Sequence, residues 1–139
     1  MSQARVGSGA ELLLLKSDDS GGGPPQFLLA ELQLQGLSAA ARIVHPYATG
    51  FEDLADFFQR LADDWRGWEG VRRWESLEGD LQIDASHEHG HVQLQVTLRR
   101  VRFDWENHGW TATGDLTIDP GEQLRQIAAE VRSLATGAL

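Results

Sequence analysis

Residues 81–98 read Leu-Gln-Ile-Asp-Ala-Ser-His-Glu-His-Gly-His-Val-Gln-Leu-Gln-Val-Thr-Leu. Apolar and polar residues alternate on both sides of His89-Gly90, which is the period of a strand with one buried face. A two-residue turn at His89-Gly90 pairs Ala85 with Leu94, Ile83 with Val96 and Leu81 with Leu98. Every apolar side chain then falls on one face. A register one residue longer would set Ile83 against Gln95. The same stretch contains His87-Glu-His-Gly-His91, a literal H-E-x-x-H. That spacing makes a zinc site on a helix, where residues i and i+4 share a face. On a hairpin tip it does not. His87 faces Val92, Glu88 faces His91, and His89 occupies the turn. His87, His89 and His91 are therefore weak metal candidates, and a solvated turn is the expected reading.

Outward from this hairpin, Trp110, Ala112, Leu116 and Ile118 mark a further strand. A tight His108-Gly109 turn would pair Val101 with Leu116, Phe103 with Gly114 and Trp105 with Ala112. Because the apolar phase changes between Leu98 and Val101, that register predicts a β-bulge near Arg99-Arg100. Upstream, Val71–Leu77 reads as a strand. So do Glu11–Lys16, Gln26–Gln35 and the alternating run Leu37, Ala39, Ala41, Ile43. Residues 17–25 carry three glycines and two prolines and are expected to form a flexible loop. Residues 1–9 are expected to be a flexible tail.

Two segments have helical periodicity. Thr49-Gly-Phe-Glu52 has the form of a capping box. Behind it Phe51, Leu54, Ala55, Phe58, Leu61, Ala62 and Trp65 form one apolar stripe, which places Trp65 in the core. Asp119-Pro-Gly-Glu122 is a second start signal, with Asp119 as N-cap. It is followed by Leu124, Ile127, Ala128, Val131 and Leu134, and Gly137 is the expected stop. The expected architecture is one α+β domain over 1–139 in the order βββαββββα. An antiparallel sheet of about seven strands carries two amphipathic helices on one face.

The chain has 139 residues, no cysteine and a net charge of −9. Absence of cysteine excludes disulfides and thiolate chemistry. The negative charge disfavours nucleic-acid phosphates. No apolar run is long enough for a membrane span or a signal-peptide core, so a cytoplasmic protein without membrane contact is expected. More than half of the excess negative charge lies in residues 49–80, on and just after the first helix. That asymmetry favours a basic protein partner.

Chemistry-bearing motifs are sparse. There is no nucleophile elbow, Walker loop or dinucleotide fingerprint, and no cofactor is implied. Arg99, Arg100 and Arg102 form a local basic spot that reads as a solvated face or a protected sheet edge, with a phosphate or carboxylate site as the rival. Trp68 and Trp74, interleaved with Arg72 and Arg73, have the composition of an interface hot spot. Burial under the first helix is the competing reading. Trp74, Trp105 and Trp110 could instead line a ligand pocket on the sheet.

The run Trp65-Arg-Gly-Trp-Glu-Gly, then Trp74-Glu-Ser-Leu-Glu-Gly-Asp-Leu, Gly90-His-Val-Gln-Leu-Gln-Val-Thr-Leu and Asp119-Pro-Gly-Glu-Gln-Leu resembles a family of small bacterial proteins of unknown function. The resemblance spans the chain from about Phe27 and implies a fold but no activity, cofactor or catalytic residue. Small acidic α+β immunity proteins are similar in size and style. The leading expectation is a non-enzymatic domain that binds a protein partner or itself. A small-ligand binder and a metal-dependent enzyme are its rivals.

Overall fold

The computed structural model describes residues 2–17, 23–44, 50–100 and 109–137. Its elements follow the order β1 (Ser2–Ser8), β2 (Glu11–Ser17), β3 (Phe27–Leu34), β4 (Leu37–Val44), α1 (Glu52–Asp63), β5 (Arg72–Glu75), β6 (Leu81–Glu88), β7 (His91–Arg100), β8 (Trp110–Ile118) and α2 (Glu122–Thr136). The fold is α+β, as the alternation and helical stripes require. Its strands form two antiparallel four-stranded meanders, β1-β2-β3-β4 and β5-β6-β7-β8, and not one sheet of about seven.

The additional strand is β1, at the segment expected to be a tail. Ala4 and Val6 are its only inward apolar residues, and both are fully buried. They pair with Leu15 and Leu13, and those with Ala30 and Leu32, so one apolar face runs across the first sheet. A strand with two small apolar residues carries little periodic signal. It is held by what covers it: α2 packs along β1, and Glu130 Oε1 accepts the Arg5 backbone N–H at 3.1 Å.

In the second sheet the β6–β7 register is the one demanded by the alternation, with Ala85 opposite Leu94, Ile83 opposite Val96 and Leu81 opposite Leu98. His89 and Gly90 have φ of 52° and 78°, so both turn residues are left-handed, as in a type I′ hairpin. The β7–β8 register differs from the expected one. Leu116 pairs with Leu94, Gly114 with Val96 and Ala112 with Leu98, and pairing is unbroken from Val92 to Arg100. There is no bulge at Arg99-Arg100. β8 meets apolar partners in either register, so alternation alone cannot choose between them. Val101, Phe103 and Trp105 lie outside the described residues.

α1 buries Leu54, Ala55, Phe57, Phe58, Leu61 and Ala62. Its N-cap is Phe51, whose carbonyl accepts the N–H groups of Leu54 and Ala55 at 3.1 and 3.2 Å, and no side chain caps it. Thr49 of the expected capping box lies outside the described residues. The N-cap of α2 is Gly121, two residues after the expected Asp119. Asp119 still organises its start: the carboxylate accepts Gly121 N–H at 2.7 Å, and its own N–H donates to Gln123 Oε1 at 2.8 Å. Gly137 ends α2 with φ 74°.

The inner faces of both sheets and the stripes of both helices meet in one continuous hydrophobic core. α1 lies against α2, and β3 and β4 approach β7. Gly114 on β8 makes room for Leu34 of β3, which would overlap a Cβ there. No helix among the described residues is long and apolar enough to cross a membrane.

Candidate functional site

The Trp/Arg segment lies where α1 gives way to β5. Two aspartates at the end of a helix oppose the negative pole of its dipole, and glycines at 67 and 70 favour departure from it. α1 accordingly ends at Asp63, with Asp64 as C-cap, and Gly67 and Gly70 adopt φ of 136° and 75°. The 3.6-residue stripe therefore stops before Trp65. Trp65 is not in the core as its spacing suggested. It is 49% exposed, with the Arg66 guanidinium 5.0 Å from its ring centre.

Trp68 is half-buried against the core and anchored to the second sheet. Its Nε1 donates to the Ala85 carbonyl at 3.3 Å, and its ring meets His87 edge to face at 5.3 Å. His87 Nε2 donates to the Trp65 carbonyl at 3.0 Å, since a carbonyl can only accept. Arg72 completes the corner. Its guanidinium lies 4.7 Å from the Trp68 ring centre, and its Nη1 pairs with Asp64 Oδ2 at 2.9 Å. Arg73 points the other way from β5 and grips Asp84 through Nε at 2.6 Å and Nη2 at 3.2 Å. That hydrogen bond, aided by the negative charge of Asp84, raises the Arg73 pKa above its ordinary value. Beside the corner, Phe57, Arg60, Asp64, Arg72 and Arg73 line a cleft of about 400 Å³.

The remaining candidates are dispersed. Trp74 is a core residue opposite Ile83, 6% exposed. Trp110 is half-buried at the start of β8, opposite Arg100, and Trp105 lies outside the described residues. Trp68 and Arg72 are thus brought together, while Arg73 faces Asp84 on the other side of β5 and Trp74 and Trp110 sit apart. His87 turns to the Trp65–Trp68 segment, whereas His91 Nδ1 lies 3.2 Å from the His89 carbonyl. Among the described residues no group of three or more His, Asp or Glu is arranged to hold a metal ion. Arg99 ties the second sheet together: its backbone N–H donates to the Asp80 carbonyl at 2.8 Å and its Nη1 to the Gly79 carbonyl at 2.9 Å.

The site missed by sequence reasoning is Trp65 with the Arg60 cleft. The signal for Trp65 was present in Asp63-Asp64 and Gly67, which stop the helix. The cleft carries none, because it joins the end of α1 to β5 across space. Chemically the corner offers guanidinium donors, indole faces and carboxylates on a rigid frame. These groups suit recognition of carboxylates and aromatic or cationic side chains.

The fold and site define a small α+β domain of two antiparallel meanders and two helices, bearing an aromatic and arginine corner. The chain belongs to the family described as "Family of unknown function (DUF6228)", whose model matches residues 4–138. It matches no curated protein and no solved structure.

Proposed function

We propose that this is a non-enzymatic, cytoplasmic protein-binding domain, and that its contact surface is the Trp65–Trp68–Arg72 corner. The observation that carries this reading is the exposure of Trp65 beside a half-buried, sheet-anchored Trp68. Large aromatics with stacked arginines concentrate binding energy at interfaces, and a fixed side chain loses little entropy on binding. The net charge of −9 favours approach of a partner with net positive charge. The test replaces Trp65 with a photo-crosslinking benzoylphenylalanine in the native cell, with Thr117 on β8 as the control position. A discrete adduct from position 65, missing from position 117 and diminished by Trp68→Ala, supports the reading. Identical adducts from both positions overturn it.

Self-association is a second reading, supported by the β4 edge. β1 is covered by α2, while β5 has four residues and carries Arg72, Arg73 and Glu75. β4 is an edge strand of eight residues with one charged side chain, Arg42, and regular pairing to β3 throughout. Such an edge is a template for antiparallel pairing with a second copy. Sedimentation equilibrium checks this: a dimer converted to monomer by Ala40→Pro supports it, and a monomer at all concentrations rejects it.

A further inference from the structure

The cleft beside the corner differs in sign from the molecule around it. The chain carries a net charge of −9, yet the cleft is lined by Arg60, Arg72 and Arg73 against a single carboxylate, Asp64. Asp84 balances Arg73 from the sheet face. A guanidinium has five N–H donors. Arg72 engages Asp64 through Nη1, and Arg73 engages Asp84 through Nε and Nη2. Among the described residues the Arg60 guanidinium has neither a hydrogen bond nor an ion pair. The lining therefore keeps a full set of donors at Arg60 and further donors at Arg72. The apolar part of the lining is the ring of Phe57, and the cleft runs beside β5, an edge strand of its sheet.

From these features we infer that the cleft is a carboxylate site, occupied by a glutamate or aspartate side chain on an extended acidic segment of a protein partner. Guanidinium groups bind carboxylates in planar, two-point contacts. The Phe57 ring suits the methylene stem of such a side chain, and an edge strand can receive an extended chain beside it. The overall field of the molecule repels a free anion more than it repels a carboxylate carried on a net-basic partner. The inference rests on the protein-binding reading and names the chemistry of its contact. Asp64 competes with the incoming group for Arg72.

The test follows the arginine Nε–Hε resonances of the full-length ¹⁵N-labelled protein at constant ionic strength. Three probes are titrated: an acetylated, amidated hexapeptide of alternating valine and glutamate, its glutamine analogue, and inorganic phosphate. The glutamate peptide is expected to shift Arg60 and Arg72 saturably while Arg125, exposed on α2, stays still. Arg60→Gln is expected to weaken binding at least tenfold without changing the fold, and Asp64→Asn to tighten it. The inference is overturned if Arg125 moves in parallel, if the glutamine analogue binds equally, or if phosphate saturates the site more tightly. It is overturned as well if no probe shifts Arg60. The purified chain alone is used, so this outcome is independent of the crosslink at position 65. Cleft binding without a crosslinked partner removes the protein-binding reading; a crosslinked partner without cleft binding removes only this inference.

Discussion

Glycine has different uses at 137 and 114. Gly137 has φ 74°, and a Cβ there would run into the Gly23 backbone carbonyl. Neither the conformation nor the neighbour can yield, so Gly137→Ala should cost about 2 kcal/mol or more, read from urea denaturation. Gly114 has ordinary strand backbone, and a Cβ there would meet the Leu34 side-chain tip. A leucine can change rotamer, so Gly114→Ala should cost less, about 1 kcal/mol, with Leu34→Val offsetting part of it. Ser76 is a third residue whose importance is local. Its hydroxyl donates to Asp80 Oδ1 and accepts the Leu81 N–H at 3.0 Å, and Ser76 and Asp80 are both buried at the β5–β6 connection. Ser76→Ala leaves both groups short of a partner and should cost about 1–3 kcal/mol.

At the scale of elements, chain ends and edges matter most. Asp119→Ala removes the acceptor of the Gly121 N–H and should lower stability by about 1 kcal/mol. β1 gives the sharper test, because a tail and a strand predict opposite results. Val6 is fully buried, so Val6→Ala should cost about 1–3 kcal/mol in denaturant unfolding, where a tail residue would cost nothing. The Arg73–Asp84 pair between β5 and β6 sets no pH dependence near neutrality. With the Arg73 value raised in the folded state, its contribution is complete below the ordinary arginine pKa. It is lost only as pH climbs through the raised value.

The molecule as a whole has one core to which both meanders and both helices contribute. Neither half closes its apolar face alone, so unfolding should be a single cooperative step. All five tryptophans lie between residues 65 and 110, so fluorescence reports on the second half of the chain. Far-UV circular dichroism reports on both halves. Coincident urea transitions by the two probes are the expected result, and separated midpoints would show two independent units. Charge also reads differently at this scale. The exposed acids on and just after α1 are partly engaged within the fold, Asp56 by Arg132 at 2.7 Å and Asp64 by Arg72. The first helix is thus less of a bare acidic face than its sequence suggests.

The sequence by itself determined the elements whose periodicity is long and whose ends are chemically marked. These are the 81–98 hairpin, the apolar stripes of both helices and the left-handed stop at Gly137. Burial demands such patterns locally, so they can be read locally. Only the tertiary structure decided that β1 is a strand, that the strands divide into two sheets, and that β8 pairs through Leu116–Leu94. Each of these depends on which apolar face a distant segment covers, and alternation has the same form for every partner. The candidate site divides in the same way. Trp68 and Arg72 were legible as a cluster because they are neighbours in the chain. The exposure of Trp65 and the arginine cleft come from the place where α1 ends and from what β5 lies beside, which depends on contacts between residues far apart in sequence.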